Sequence, residues 1–322
     1  AQIKNWTKRF PFDEGELEII LRCHASITSC EGEDSKGSFL NILAHSHPYV
    51  FFFLPRDELE MRTALVENYV LPLGFGERFK EAIFKKEETN NEEEEIESLI
   101  GGVANACRRE PKNALEIIFN CCCSNNEEGK TTALSNDLVD LCYRLAIASN
   151  ILISKHIDEK RVKSFSQEAP PLHGLKISLS KVVAASEEGN VTKDTFIEWG
   201  TKTIPFIYSC LPTFTHNLIF HGKSTKSHHQ EAYNHPELLN DSEIFTSTDT
   251  SLLFTIGCMA PDMGGKWRRL YTSQCEETPA NCLQGAVNYH AGPSVFIIKL
   301  ASGAIIGGCV ESKWKVCYYL FK

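Results

Sequence analysis

No stretch of this chain approaches the ~20 uninterrupted apolar residues of a membrane-spanning helix, so no span is predicted. Nothing at its start resembles a secretory leader. Positive charge is short: 33 Lys and Arg stand against 42 Asp and Glu, a formal net charge of −9. That balance disfavours a nucleic-acid footprint and a membrane-surface role built on total charge. Motifs that carry chemistry are missing too. Neither G-x-S-x-G nor H-E-x-x-H occurs, which leaves no local signature for a serine nucleophile or a zinc protease. Cysteines are many, 13 in 322 residues, yet no C-x-x-C pair exists. They read as reduced, partly buried thiols, with Cys121, Cys122 and Cys123 facing different directions from one helix; a zinc or redox cluster is the alternative. The nearest approach to a phosphate loop ends in Gly265-Lys266, but Ala260 stands at its first glycine and Trp267 at its magnesium-binding hydroxyl.

What is present has the composition of an ordinary globular protein, 42% apolar and 23% charged, over a length that suits two domains. The chain opens on Ala1-Gln2 and reads as processed or as part of a longer protein, with any N-terminal lipid signal out of view. Helical periodicity dominates residues 1–222. Asp13 caps a predicted helix over 14–26 whose Leu17, Ile20, Leu21 and His24 share one face. Further helices are expected over 39–43, 58–69, 77–85, 111–119, 136–148 and 195–211, the last kinked or restarted at Pro205. Phe51, Phe52 and Phe53 read as core, and the charge run 85–97 as a solvated loop entering a helix. His45 and His47 read as loop histidines. Residues 156–174 read as a loop around Pro170-Pro171. Residues 223–241 have the composition of a linker. Around it His216, His221, His228, His229 and His235 fall close together, and a metal contact in the His216–His235 region is the alternative reading.

Two segments share a helix–loop–helix pattern with glycine at the sixth loop position, Gly129 and Gly189, as in an EF-hand. Counted from those glycines, ligand positions one, three, five and twelve fall on Ser124, Asn126, Glu128 and Ser135. In the second loop they fall on Ala184, Ser186, Glu188 and Thr195. The bidentate acid at position twelve is missing from both, and Ala184 offers no side-chain donor. The loops are therefore expected to form a scaffold without calcium, and no metal or cofactor is assigned; unrelated helix–turn–helix pairs are the alternative.

Residues 289–314 carry the clearest local signal. Ser294–Leu300 is apolar and β-branched, Ala301-Ser302-Gly303 forms turns, and Ala304–Val310 is apolar again. A β-hairpin is predicted, with Gly303 supplying the positive φ. Gly307-Gly308 marks a bulge or a close backbone approach. Because both strands are nearly all apolar, the hairpin is expected to be core with both faces covered.

Trp267-Arg268-Arg269-Leu270-Tyr271, then Gly292-Pro293 leading the first strand to Lys299, then Gly303 with Gly307-Gly308, then Trp314, follow one another at a spacing that resembles the TLDc domain family. Ser302 replaces the family's usual turn Asp, and the family's later strands do not follow. The resemblance implies an α+β protein: an EF-hand-like helical domain over 1–222, a linker over 223–241, and over 242–322 the first part of an antiparallel β-sandwich. It implies no catalytic residues, and a regulatory protein that binds the vacuolar-type proton ATPase at its cytosolic catalytic sector, with links to lysosomal signalling and oxidative-stress resistance. The rivals are a structural component of a large cytoskeletal or ciliary assembly, and an enzyme working through a cysteine.

Overall fold

The computed structural model describes residues 2–30, 38–46, 56–84, 91–125, 131–154, 156–165, 172–182, 189–220, 236–240, 242, 244, 251–260, 263–273, 279–310 and 312–314. The protein is predominantly helical with small sheets, an α+β chain, and it divides into two compact units, Ala1–Ala232 and Tyr233–Lys322.

The first unit opens with α1 (Gln2–Arg9), α2 (Glu14–Cys30) and α3 (Phe39–His45). Asp13 starts α2 as expected and does so reciprocally. Its Oδ1 accepts from Glu16 N at 2.8 Å, and Glu16 Oε2 accepts from Asp13 N at 3.1 Å, so two orphan amides of the first turn are satisfied at once. A single carboxylate fixes α1: Glu97 accepts from Trp6 Nε1 at 3.0 Å and from both terminal nitrogens of Arg9.

There follow α4 (Arg56–Leu65), running into a π turn over Val66–Val70, then α5 (Phe75–Ile83), α6 (Glu92–Cys107) and α7 (Pro111–Cys122). Gly74, at φ 72°, admits the chain to α5. Gly102 is needed by α6 because a Cβ there would stand 1.7 Å from Ile83 O. Next come α8 (Ser135–Ile153), α9 (Glu159–Phe165), α10 (His173–Val182), α11 (Lys193–Lys202) and α12 (Cys210–Phe220). The segment expected to continue from 195 to 211 does break near Pro205, with a short 3-10 turn over Ile207–Ser209 before α12. Residues 156–174 depart from expectation: α9 occupies their middle, supported by a Lys163–Glu159 pair one turn apart.

Helix α12 is the axis of this unit. All its residues but Thr213 and His216 are buried, and it packs on α8, α6 and α3. Phe214 meets Phe75 and Phe79 edge-on, while those two stack at 5.5 Å. Asn217 Nδ2 donates to the buried Ser149 Oγ at 2.7 Å, which ties α12 to α8 without an unpaired amide. Arg62, almost wholly buried, donates to the carbonyls of Ile151, Leu152 and Ser154 and so closes the C-terminus of α8, with Glu58 balancing its charge.

In the second unit β4 (Pro236–Leu238) pairs in parallel with β5 (Gly265–Trp267), and α13 (Ser251–Met259) lies between them in sequence. Strand β4 thus falls inside the stretch expected to be linker. Helix α14 (Pro279–Asn288) precedes the hairpin of β6 (Ser294–Lys299) and β7 (Ile305–Val310). Among the described residues these two pairs are all the sheet the unit contains.

Candidate functional site

Two places were singled out by sequence, one in each unit. In the first unit the two loops meet. Strand β2 (Thr131–Leu134) pairs antiparallel with β3 (Asn190–Val191), Ala133 opposite Val191 and Leu134 opposite Asn190. Both paired side chains, Ala133 and Val191, are buried. Gly189 has φ 72°, the left-handed geometry that made glycine the residue to expect there. Thr192 caps α11, its Oγ1 accepting from Thr195 N at 3.4 Å and lying 2.9 Å from Thr195 Oγ1. The hydroxyl of Thr195 is therefore occupied at the helix start.

The pairing changes the count in the first loop. Val191 stands two residues after Gly189, whereas its partner Ala133 stands four after Gly129. Each exiting helix begins two residues past the paired position, at Lys193 and at Ser135. Matched this way every ligand position of the first loop moves on by two residues, the first to Asn126 and the third to Glu128. Ser135 is a buried first-turn residue rather than the twelfth ligand position, which passes to Asp137, while the fifth passes from Glu128 to Lys130. Ser124 lies in β1 (Ser124–Asn125), paired with Thr132. The first loop is thus folded back as a hairpin, which spends on strand pairing backbone groups that an ion-wrapping loop would direct inward. Asn126, Glu128, Ala184, Ser186 and Glu188 lie outside the described residues, as do the Phe51–Phe53 trio and His47, His221, His228, His229 and His235.

His216 is described. Its Nδ1 lies 3.1 Å from Arg108 Nη2, which also donates to Glu16 Oε1 at 2.9 Å. Arg108 stacks on Phe12 and Phe220. Since a guanidinium only donates, His216 Nδ1 is the acceptor, and that nitrogen is taken up by the fold. Among the described residues no three His, Cys, Asp or Glu side chains gather as a metal ion requires. Five cysteines of this unit, Cys23, Cys107, Cys121, Cys142 and Cys210, are buried, while Cys122 and Cys123 are half-buried. Burial pushes the thiols of Cys23, Cys107 and Cys121 up to about 12 and that of Cys142 well above the ordinary thiol value. Such thiols stay protonated and are poor nucleophiles.

In the second unit the hairpin forms as expected. Leu300 N donates to Ala304 O at 2.8 Å, Gly303 N to Leu300 O at 2.9 Å, and Gly303 has φ 84°. The register runs unbroken from Ser294↔Val310 to Lys299↔Ile305, so Gly307 and Gly308 mark close approach rather than a bulge. A Cβ on Gly307 would lie 2.5 Å from Phe296 O, and one on Gly308 2.9 Å from the Phe296 ring. Trp314 meets that ring edge-on and donates from Nε1 to Ser294 Oγ at 2.7 Å.

The expectation that this hairpin is core is wrong. Phe296 is 41% exposed, Ile298 48%, Ile305 42% and Ile306 51%, with Leu300 at the turn also open. Ile298 and Ile306 are a cross-strand pair on one face, and Ile305 is on the other, so neither face is fully covered. The remaining signature residues are dispersed. Trp267 ends β5 and donates from its indole to Met263 O. Arg268, Leu270 and Tyr271 follow in no regular element, and Gly292 and Pro293 form the turn into β6. Sequence reasoning missed the buried Arg62 and Arg108, for which no local pattern exists, and Asp137, which the pairing alone brings into the count.

None of the helices described is long and apolar enough to cross a membrane. No protein-family model matches the chain, and no curated protein matches it either.

Proposed function

We propose that this chain works by binding, without catalysis, and that the hairpin of the second unit is its contact surface. The observation that carries the reading is where apolar side chains are left open. Of the twelve large exposed hydrophobic residues among those described, Leu73, Leu134 and Ile153 belong to the first unit and nine to the second; five of the nine are Phe296, Ile298, Leu300, Ile305 and Ile306. Scattered exposed apolar residues are ordinary, but a contiguous group is a mark of an interaction site.

The resemblance to the TLDc family extends the proposal. It makes the second unit part of a TLDc domain and the first an EF-hand-like half without calcium. It makes the catalytic sector of the vacuolar-type proton ATPase the first choice of partner, in lysosomal signalling or oxidative-stress resistance. The joined loops and the left-handed Gly189 support the EF-hand-like part of this reading. Burial removes Cys23, Cys107, Cys121 and Cys142 from the cysteine-enzyme rival, whereas Cys309 of the hairpin is exposed. Affinity capture with the full chain, followed by identification of the retained subunits, is the test. Recovery of the catalytic-sector subunits supports the proposal. Recovery of cytoskeletal or ciliary lattice proteins alone would replace it with the structural reading.

A further inference from the structure

Among the described residues no strand other than β7 pairs with β6, which leaves its outer edge without a strand partner there. The bond from Leu300 N to Ala304 O sets the alternation of the ladder, because bonded pairs recur at every second residue. Along the register, Ile298, Phe296 and Ser294 bond inward to Ile306, Gly308 and Val310. The backbone N–H and C=O groups of Val295, Ile297 and Lys299 face outward. Soluble proteins protect such edges with proline, a bulge or a charge within the strand. Here the strand has no proline, its register has no bulge, and no charge occurs from Ser294 to Ile298.

Charge comes only at the ends. Lys299 stands at the turn end, and Lys313 at the opposite end, next to the Trp314 that bonds to Ser294. Both are exposed, and neither makes an ion pair among the described residues.

We infer that the β6 edge receives an extended segment of a partner protein as a third strand, a segment with an apolar centre and an acidic residue at each end. This rests on the contact-surface reading and specifies what the surface takes. A second copy of the chain does not fit. Antiparallel pairing of two β6 edges brings Lys299 of one copy beside Lys313 of the other, and parallel pairing brings the same lysines together.

The test uses the full chain and a labelled synthetic peptide of alternating valine and threonine, bracketed by aspartate and glutamate, with binding followed by fluorescence anisotropy. The acid-bracketed peptide binds, and a lysine-bracketed version binds at least about tenfold more weakly. Methylating its edge-facing amide nitrogens abolishes binding. Ile297→Pro removes only an outward N–H; it weakens binding to the same degree while the far-UV spectrum stays unchanged. Amide exchange slows on 294–299 when the peptide is bound. Failure of the acid-bracketed peptide to bind, equal binding of both peptides, or indifference to N-methylation overturns the inference. If the peptide fails while Ile298→Thr with Ile306→Thr still costs the chain its captured partner, strand addition is wrong and the contact surface stands. If neither change has an effect, both fall.

Discussion

Phe79 and Phe296 are the same side chain in opposite situations. Phe79 is wholly buried in the first unit, with Phe39, Phe75 and Phe214 around it. Phe296 covers a glycine, touches Trp314, and leaves 41% of its surface open. Both lie in runs that read as apolar and regular. What differs is the number of elements that come to meet them. Around Phe79, α3, α5 and α12 converge. No described helix or strand other than its hairpin partner packs extensively on β6. Apolar sequence therefore has two outcomes in this molecule, burial around Phe79 and exposure on the hairpin, although α13 of the second unit buries Leu253, Phe254 and Cys258.

Truncating each phenylalanine separates the two. Phe79→Ala should cost about 3–5 kcal/mol in chemical denaturation, as large core deletions do. A cost under 1 kcal/mol would mean that the aromatic cluster is not the core. Phe296→Ala should cost about 1 kcal/mol or less, the scale of a cross-strand pair, and a loss comparable with that at Phe79 would return the hairpin to the interior.

A smaller effect tests how the first unit holds its N-terminal helix. Hydrogen bonds from Arg9 and then from Trp6 keep the Glu97 carboxyl below its usual value of 4.5. A carboxyl so lowered adds stability that is complete above its unfolded value and disappears as pH falls through the folded one. The melting-temperature gap between the natural chain and Glu97→Gln should therefore be full at neutral pH. It should narrow as pH drops below about 4.5; a gap that does not change with pH would show that the charge of Glu97 does not contribute to holding α1. The smallest expected effect is none. Calorimetric titration of the full chain with Ca²⁺ should give no stoichiometric micromolar signal, because one loop is spent on strand pairing and the other lacks acids where they are needed. Such a signal would give Asp137 and the carboxylates of Glu127 and Glu128 in the first loop a role as ligands.

Local grammar was readable where a residue and its neighbours suffice. Asp13 before α2, the restart near Pro205 and the positive φ of Gly303 are each decided within a few positions. The helical face of Leu17, Ile20 and His24 is likewise set by periodicity and is buried. What escaped depends on distant partners. Strand β4 is three residues of linker-like sequence, and it becomes a strand because β5, almost thirty positions on, lies beside it. The count of the first loop followed Gly129, while the pairing of Ala133 with Val191 follows a different register. Nothing within a few positions of Arg108 foretells Phe12 and Glu16 from around the start of α2, or His216 and Phe220 from α12. The hairpin is the sharpest case. Its strands, turn and register are local, but coverage is supplied by other elements, and apolarity on both faces says what a strand would tolerate rather than what it meets.

The central claim, that the first unit holds together by burial while the hairpin is kept for a partner, is tested most directly by one paired measurement on a single preparation. Ile298→Thr with Ile306→Thr removes apolar surface from a cross-strand pair while keeping β-branched side chains on both strands. Melting temperature and recovery of the proton ATPase catalytic sector are then read from the natural chain and the double variant side by side. The predicted result is a melting temperature changed by no more than about 2 °C and a recovery reduced at least about tenfold. A large fall in melting temperature with recovery retained would contradict the account, since the hairpin would then be cohesion and not contact.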